Sequence, residues 1–376
     1  MAQASQKFDY VVFGADLTGL LIAQELASQG AKTLLADEAE IPCQKLRTIK
    51  NEFGQLSPLM NCFPETANSQ KAIDFLERVL GLKLFRSGQT MIPVTYSDGV
   101  VKDFLGFGDQ TLSFYAELSP YLSSSYHQAI VDFDIVIDQI LEQKKFELIP
   151  RSVLTKLELD SNKMSFATIN GHKKLASENF IFTQNLKSLS PLLKDLPIST
   201  KVKNKISKGP YLSTLRVDLF FASQLSENHS LHILNGTTQD ELGPCFGLFH
   251  PPTEAGQCSQ WMTYLDAQEA EESEFVGEAI KKIKRQIKRA YPTSNDLLKK
   301  ERISLYPYEA GGDDQLLPQN KLNEIENFWV AHPQLNNEKG PFAAVTQAQV
   351  VLQKLGFANE AVKIENTKAE FLEAET

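Results

Sequence analysis

Gly14-Ala15-Asp16-Leu17-Thr18-Gly19 is the stretch of this 376-residue chain whose residue types and spacing point most directly to chemistry. It stands in the place of a G-x-G-x-x-G turn, between an apolar run ending at Gly14 and a helical pattern starting at Leu17. Such a turn holds a pyrophosphate on backbone N–H groups at a helix N-terminus, where the helix dipole favours negative charge. Gly14 permits the tight turn and Gly19 lets the helix approach the strand. Asp37, about 20 residues on, is placed to accept hydrogen bonds from a ribose. The middle position departs from the pattern, because Asp16 stands where a glycine lets the backbone approach a phosphate. Two like charges about 4 Å apart cost about 1 kcal/mol in water and about 4 kcal/mol at an effective dielectric of 20. The other use for Asp16 is as the cap of the helix that follows.

The remaining candidates form no comparable constellation. His127, His172, His229, His232, His250 and His332 are scattered. His229 and His232 lie near a strand-like stretch, where their spacing splits them across faces, so no metal site is expected. Cys43, Cys62, Cys245 and Cys258 form no C-x-x-C pair and no zinc-finger spacing, and read as the reduced thiols of a cytoplasmic protein. Spacing assembles no Ser-His-Asp set and no carboxylate pair, so catalytic residues stay unassigned. The basic run Lys201, Lys203, Lys205 and Lys208 reads as solvated surface, with attraction to a phosphate or an acidic partner as the sharper alternative. Trp261, Trp329, Tyr264 and Tyr306 could wall a pocket, although aromatics in strands are more often core.

These residues must be positioned by a mixture of elements. Phe8–Phe13 reads as a buried parallel strand, Leu17–Gln29 as a helix ended by Gly30, and Thr33–Ala36 as a second strand: a βαβ opening. Helices are expected over Ala67–Leu82 and Ser124–Lys144. Short strands at Phe146–Ile149, Val153–Leu159, Met164–Ile169 and Asn179–Thr183 then form a meander and one further strand. Leu212–Ala222 alternates as a long strand, with others near Leu231–Leu234, Cys245–Phe249 and Gln260–Tyr264. Glu271–Arg289 is an amphipathic helix with Val276, Ile280, Ile283 and Ile287 on one stripe. Phe328–Ala331 and Phe342–Leu355 close the chain as a strand and a helix. A net charge of −9 disfavours nucleic acid and anionic membranes, and no apolar run of about 18 residues predicts a transmembrane segment.

Together these segments resemble the superfamily of FAD-dependent amine oxidases, protoporphyrinogen oxidases and phytoene desaturases. FDYVVFGADLTGLLIAQELASQGAKTLLADE is similar to its FAD-binding opening, and FELIPRSVLTKLELDSNKMSFATING to its meander. SENFIFTQNLKSLSPLL resembles the stretch leaving the meander, ERISLYPYEA the strand returning from the substrate domain, and NFWVAHPQLNNEKGPFAAVTQAQ the closing FAD motif. The resemblance implies an α/β fold, an FAD/NAD(P)-binding Rossmann-type domain with an inserted β-rich second domain. Residues 1–62, 145–200 and 318–360 would form the first, 63–144 and 201–317 the second, and 361–376 an acidic tail. It also implies that Val153 touches the adenine through its backbone. The family's Gly-Gly-Arg turn becomes Cys43-Gln44-Lys45-Leu46-Arg47-Thr48, which keeps Arg47 and Thr48 but no glycine. Its closing Gly-Asp becomes His332-Pro333, while Gly340 is kept.

Three changes around one ligand argue that FAD binding is weakened or lost. Rab GDP-dissociation inhibitors give a precedent, since they resemble this fold but bind a prenylated GTPase. The expected function is therefore that of a binding protein, a pseudoenzyme on a flavoprotein scaffold. Its inter-domain cleft would take a small molecule or a partner protein. The alternative is an FAD-dependent oxidoreductase with an atypical cofactor grip. A residual cavity is expected near Gly14, Arg47 and Gly340, with Arg47 as its polar anchor because a guanidinium grips a carboxylate bidentately.

Overall fold

The computed structural model describes residues 7–357 except 53, 58–59, 61, 109–113, 236–243 and 323–324. The acidic stretch 361–376 lies outside the described residues. The chain opens with β1 (Lys7–Phe13), α1 (Leu17–Ser28) and β2 (Thr33–Ala36), then the short strands β3 (Ile49–Asn51), β4 (Gly54–Leu56) and β5 (Phe63–Pro64). It continues through α2 (Ser69–Leu80), β6 (Phe85–Thr90), β7 (Val94–Ser97), β8 (Val100–Asp103), α3 (Tyr115–Leu118), β9 (Ser125–Ala129) and α4 (Phe133–Glu142). Next come β10 (Glu147–Ile149), β11 (Leu154–Asp160), β12 (Lys163–Ile169), β13 (Lys173–Phe182), α5 (Leu186–Leu189) and α6 (Thr200–Ser207). The last part holds β14 (Tyr211–Phe221), β15 (His232–Leu234), β16 (Cys245–Phe249), β17 (Gln257–Asp266), α7 (Ser273–Ala290), α8 (Ser294–Leu297), β18 (Leu298–Gly311), β19 (Phe328–Val330) and α9 (Ala343–Lys354).

Two large sheets organise these elements. The first runs β10-β2-β1-β13-β12-β11, with β19 also beside β13. The strands β10, β2, β1, β13 and β19 are parallel, as helical crossovers require, and β11-β12-β13 is an antiparallel meander. Strand β13 serves both, pairing its start with β12 and its end with β19. Phe328–Val330 therefore joins the sheet that holds β1, as the sequence pattern requires. One face of this sheet is covered by α1, α9, α2 and α4, whose Leu20, Leu21, Val351, Leu76 and Ile137 share one core. Thus α2 and α4, in the stretch 63–144 expected to belong to the second unit, pack their apolar faces against α1.

The second sheet runs β18-β14-β17-β16-β15-β7-β8. Its outer face rests on α7, whose Ile283 and Ile287 are buried beside Leu215, Val217 and Trp261. Glu274 in the first turn of α7 and Lys288 and Arg289 in the last complement the helix dipole. No helix among the described residues is long and apolar enough to cross a membrane.

Two expectations need correction. The helix expected over Ser124–Lys144 is strand β9 followed by α4, because Tyr126 and His127 pair with β5 and β6 and bury their side chains. Glu147–Ile149 leaves the meander and pairs parallel with β2. The basic run keeps Lys201, Lys205 and Lys208 exposed, as expected; most of it is α6, capped by Ser199 and anchored by buried Ile206, and Lys203 Nζ donates to Lys194 O and Leu196 O at 2.8 Å.

Candidate functional site

The glycine turn has the backbone its motif demands. Gly14 sits at φ +108°, and a Cβ there would meet Thr183 Oγ1 at 2.5 Å. A Cβ on Gly19 would lie 1.9 Å from Gly14 O, so the close approach of α1 to β1 depends on that glycine. Asp16 caps α1: the Gly19 N–H donates to Asp16 Oδ1 at 2.8 Å. Burial pushes the Asp16 carboxyl up to about 7. Glu309 and Asp37 add to the rise, while the Gly19 N–H and Lys45 oppose it. The carboxylate thus occupies the head of the helix, where the motif would receive phosphate.

The other residues that the FAD resemblance singles out are engaged by the chain itself. Asp37 is buried at the end of β2. Its carboxyl is raised by that burial, against backbone hydrogen bonds from Ala15 and Ala39. The side chain of Val153 is exposed, but its N–H donates to Asn170 Oδ1 at 2.9 Å and its carbonyl accepts the Asn170 N–H at 2.8 Å. Both backbone groups expected to face an adenine are therefore paired. Cys43 adopts a left-handed backbone, φ 52°, where a glycine would be at ease, and its N–H donates to Ala15 O at 2.8 Å. His332 is buried at the end of β19. Burial, with Lys45 and Lys339 nearby, pushes its pKa down to about 3, so the neutral ring accepts the Gln334 N–H on Nδ1 at 3.2 Å. Pro333 has no N–H to offer.

A cavity of about 300 Å³ opens between the loop after β2, the first turn of α9 and the inner side of the second sheet. Of Gly14, Arg47 and Gly340, expected to surround it, only Gly340 lines it. Arg47 is drawn away by α4, with Nη1 at 2.5 Å from Asp138 Oδ1 and 3.9 Å from Asp134. The cation at the mouth is instead Lys45, paired with Glu309. The Lys45 side chain stays largely exposed, and Glu309, Asp16 and Glu38 raise its pKa above the ordinary value. A bulge in β18 turns Glu309 towards this partner. Three residues, 307–309, stand opposite Ser213 alone, and Tyr308 takes a left-handed backbone at φ 56°.

Two further charges in the wall are buried. Lys339 Nζ donates to Gly311 O and Gly312 O at 3.0 Å each and lies 3.8 Å from Glu117 Oε1. Arg216 pairs through Nε with Asp218 Oδ1 at 2.7 Å. Tyr121, Tyr264, Tyr306, Met60 and Met262 supply much of the apolar lining. Tyr264 and Tyr306 thus reach the cavity, whereas Trp261, between Gln260 and Met262 on β17, turns its ring to α7, and Trp329 stands in β19 under Lys321, whose Nζ is 4.3 Å from the ring centre. The sequence did not single out Lys45, Glu117, Glu309 or Lys339, since their pairing joins segments distant in the chain, nor Arg216, whose partner Asp218 is close but whose turn toward the cavity is set by the sheet. Among the described residues no cluster of His, Cys, Asp or Glu could hold a metal ion.

No family model matches this sequence, and no curated protein matches it. Solved structures do. An oxidoreductase from Methanosarcina mazei superposes with a TM-score of 0.67 at 10% identity, over 93% of this chain and 100% of that one. A protein described as a protoporphyrinogen oxidase, from Exiguobacterium sp. 255-15, gives 0.65 at 12% identity, over 94% and 99%. A putrescine oxidase bound to putrescine gives 0.61 at 9% identity, over 93% and 99%. The fold is that of these oxidoreductases. It joins a Rossmann-type sheet to a second, β-rich unit, as the sequence resemblance implied.

Proposed function

We propose that this chain is a ligand-binding protein on the fold of FAD-dependent oxidoreductases. In this reading it keeps the cavity between the two sheets and has given up the dinucleotide half of the FAD site. The observation that carries the reading is the engagement of the FAD-facing groups by the chain's own side chains. Asp16 holds the Gly19 N–H, and Asn170 holds both backbone groups of Val153. An FAD would have to displace these bonds and set its pyrophosphate against Asp16. The helix dipole offsets only part of that repulsion. The residues present therefore do not suit FAD well, and no reaction step is assigned to it.

A second reading, an FAD-dependent oxidoreductase with an atypical grip, is favoured by the names of the similar structures. There a bound flavin would supply the hydride acceptor, and the protein its orientation. The visible absorption spectrum of the purified chain, followed by titration with FAD, separates the two. A colourless protein that ignores added FAD is expected. Flavin bands near one per chain would overturn the proposal in favour of the enzyme.

A further inference from the structure

We infer that the cavity between the two sheets takes an uncharged ligand with an apolar, ring-sized body. The inference deepens the proposed binding function and rests on it. Each lining charge named above already has a counter-charge in the protein: Lys45 with Glu309, Lys339 with Glu117, and Arg216 with Asp218. The Lys339–Glu117 and Arg216–Asp218 pairs are buried, while Lys45 at the mouth is exposed, so a charged ligand in the interior of this space must either separate a buried pair or sit in low-dielectric surroundings with no partner of its own. Both are costly, since burying an unpaired charge is among the largest penalties in protein interiors.

The rest of the wall rewards apolar area. Tyr264, Tyr306 and Tyr121 offer ring faces, and Met60 and Met262 are soft side chains that adapt to an irregular guest. Burial raises the pKa of both Tyr121 and Tyr264, so their phenols stay protonated and contribute neutral hydroxyls. Gln260 brings no free amide: its Nε2 donates to Ser57 O at 2.8 Å, and its Oε1 is 2.6 Å from His250 Nε2. At about 300 Å³ the space is at the small end for a ligand pocket, which suits one or two fused rings and not a dinucleotide.

The test uses two fluorescent probes with the same frame, neutral N-phenylnaphthylamine and anionic anilinonaphthalene sulfonate, titrated into the full-length protein. The neutral probe should saturate at one per chain. The anionic probe should bind about tenfold more weakly or less, because its sulfonate has no partner in the wall. Ala344→Phe, which fills the cavity from the start of α9 without altering charge, should abolish saturable binding of the neutral probe. Circular dichroism checks that this variant is folded, and the comparison of probes on the unaltered chain stands without it. Equal affinity for the two probes, no saturable binding of the neutral one, or undiminished binding in folded Ala344→Phe would each overturn the inference. Failure of the parent reading is seen separately, as flavin bands in the visible spectrum.

Discussion

Replacing Lys339 by Met asks whether the cavity wall is held by charge. Lys339 and Glu117 are only 7% and 8% exposed. The ammonium bridges Gly311 O and Gly312 O, and Glu117 Oε1 accepts the Gly311 N–H at 2.8 Å, so the pair ties α3, the end of β18 and the loop before α9 together. Met is nearly as long as Lys and keeps much of the packing. What goes is a cation beside a buried carboxylate and the donor to two carbonyls. Removing one side of a buried pair costs about 3–5 kcal/mol. The loss should depend on pH. Burial already raises the Glu117 pKa, against the pull of Lys339, and without Lys339 it rises further. A carboxyl whose native pKa lies above its unfolded value adds stability below the unfolded pKa, and that contribution is lost as pH rises through the native pKa. Lys339→Met should therefore lose about 3–5 kcal/mol at pH 8 and clearly less at pH 5. Urea denaturation followed by circular dichroism at both pH values measures this. The double variant Lys339→Met, Glu117→Gln should recover part of the loss, since it leaves no buried charge. A single variant as stable as the parent at pH 8, or a loss independent of pH, would refute the reasoning.

Three further substitutions probe the turn and its surroundings. Asp16→Gly should raise affinity for ADP, by about 1–4 kcal/mol at most if like-charge repulsion is the barrier. The gain should be larger at pH 8 than at pH 6, since the Asp16 carboxyl, pushed up to about 7, is ionised above that pH and neutral below it; calorimetric titration with no gain at either pH would mean the site is closed by other contacts. Gly19→Ala places a Cβ 1.9 Å from a backbone oxygen and should destabilise the fold by about 1–3 kcal/mol or more, read from urea midpoints. Asn170→Gly keeps the left-handed backbone but removes the bonds to the Val153 N–H and the Arg151 carbonyl. It should cost about 1 kcal/mol for each bond and speed hydrogen exchange at the Val153 amide; unchanged exchange there would count against the pairing.

Local pattern was enough for the elements whose partners lie close by. The run Phe8–Phe13, the glycine turn and Thr33–Ala36 carry strand, turn and strand within a few dozen residues, and β1, α1 and β2 appear where expected. It failed where a distant partner decides. Ser125–Ala129 has no strong period, and β5 and β6 make it a strand by pairing. The polar start of β13, Lys173 and Lys174, hides a strand because that end pairs with β12 alone and leaves both lysines exposed, before Leu175 and Phe180 reach the core.

The candidate site divides along the same line. Asp16 and the glycine turn are local, and the cap that Asp16 makes on α1 lies within four residues of chain, so it was legible in the sequence. The cavity is built from long-range choices. Arg47 and Lys45 stand two residues apart on one loop, and nothing in their surroundings in sequence says which one faces the cavity. Asp138 on α4 takes Arg47, and Glu309, turned inward by the β18 bulge, takes Lys45. Lys339 likewise follows Glu338, whose carboxylate accepts from Thr66 and Asn68 at the start of α2. Adjacent residues of opposite charge thus fasten the loop before α9 to two different elements and hold Gly340 at the cavity. Which charges a ligand in the cavity can meet depends on pairs such as these, and each of them matches a cation with a carboxylate of the chain itself.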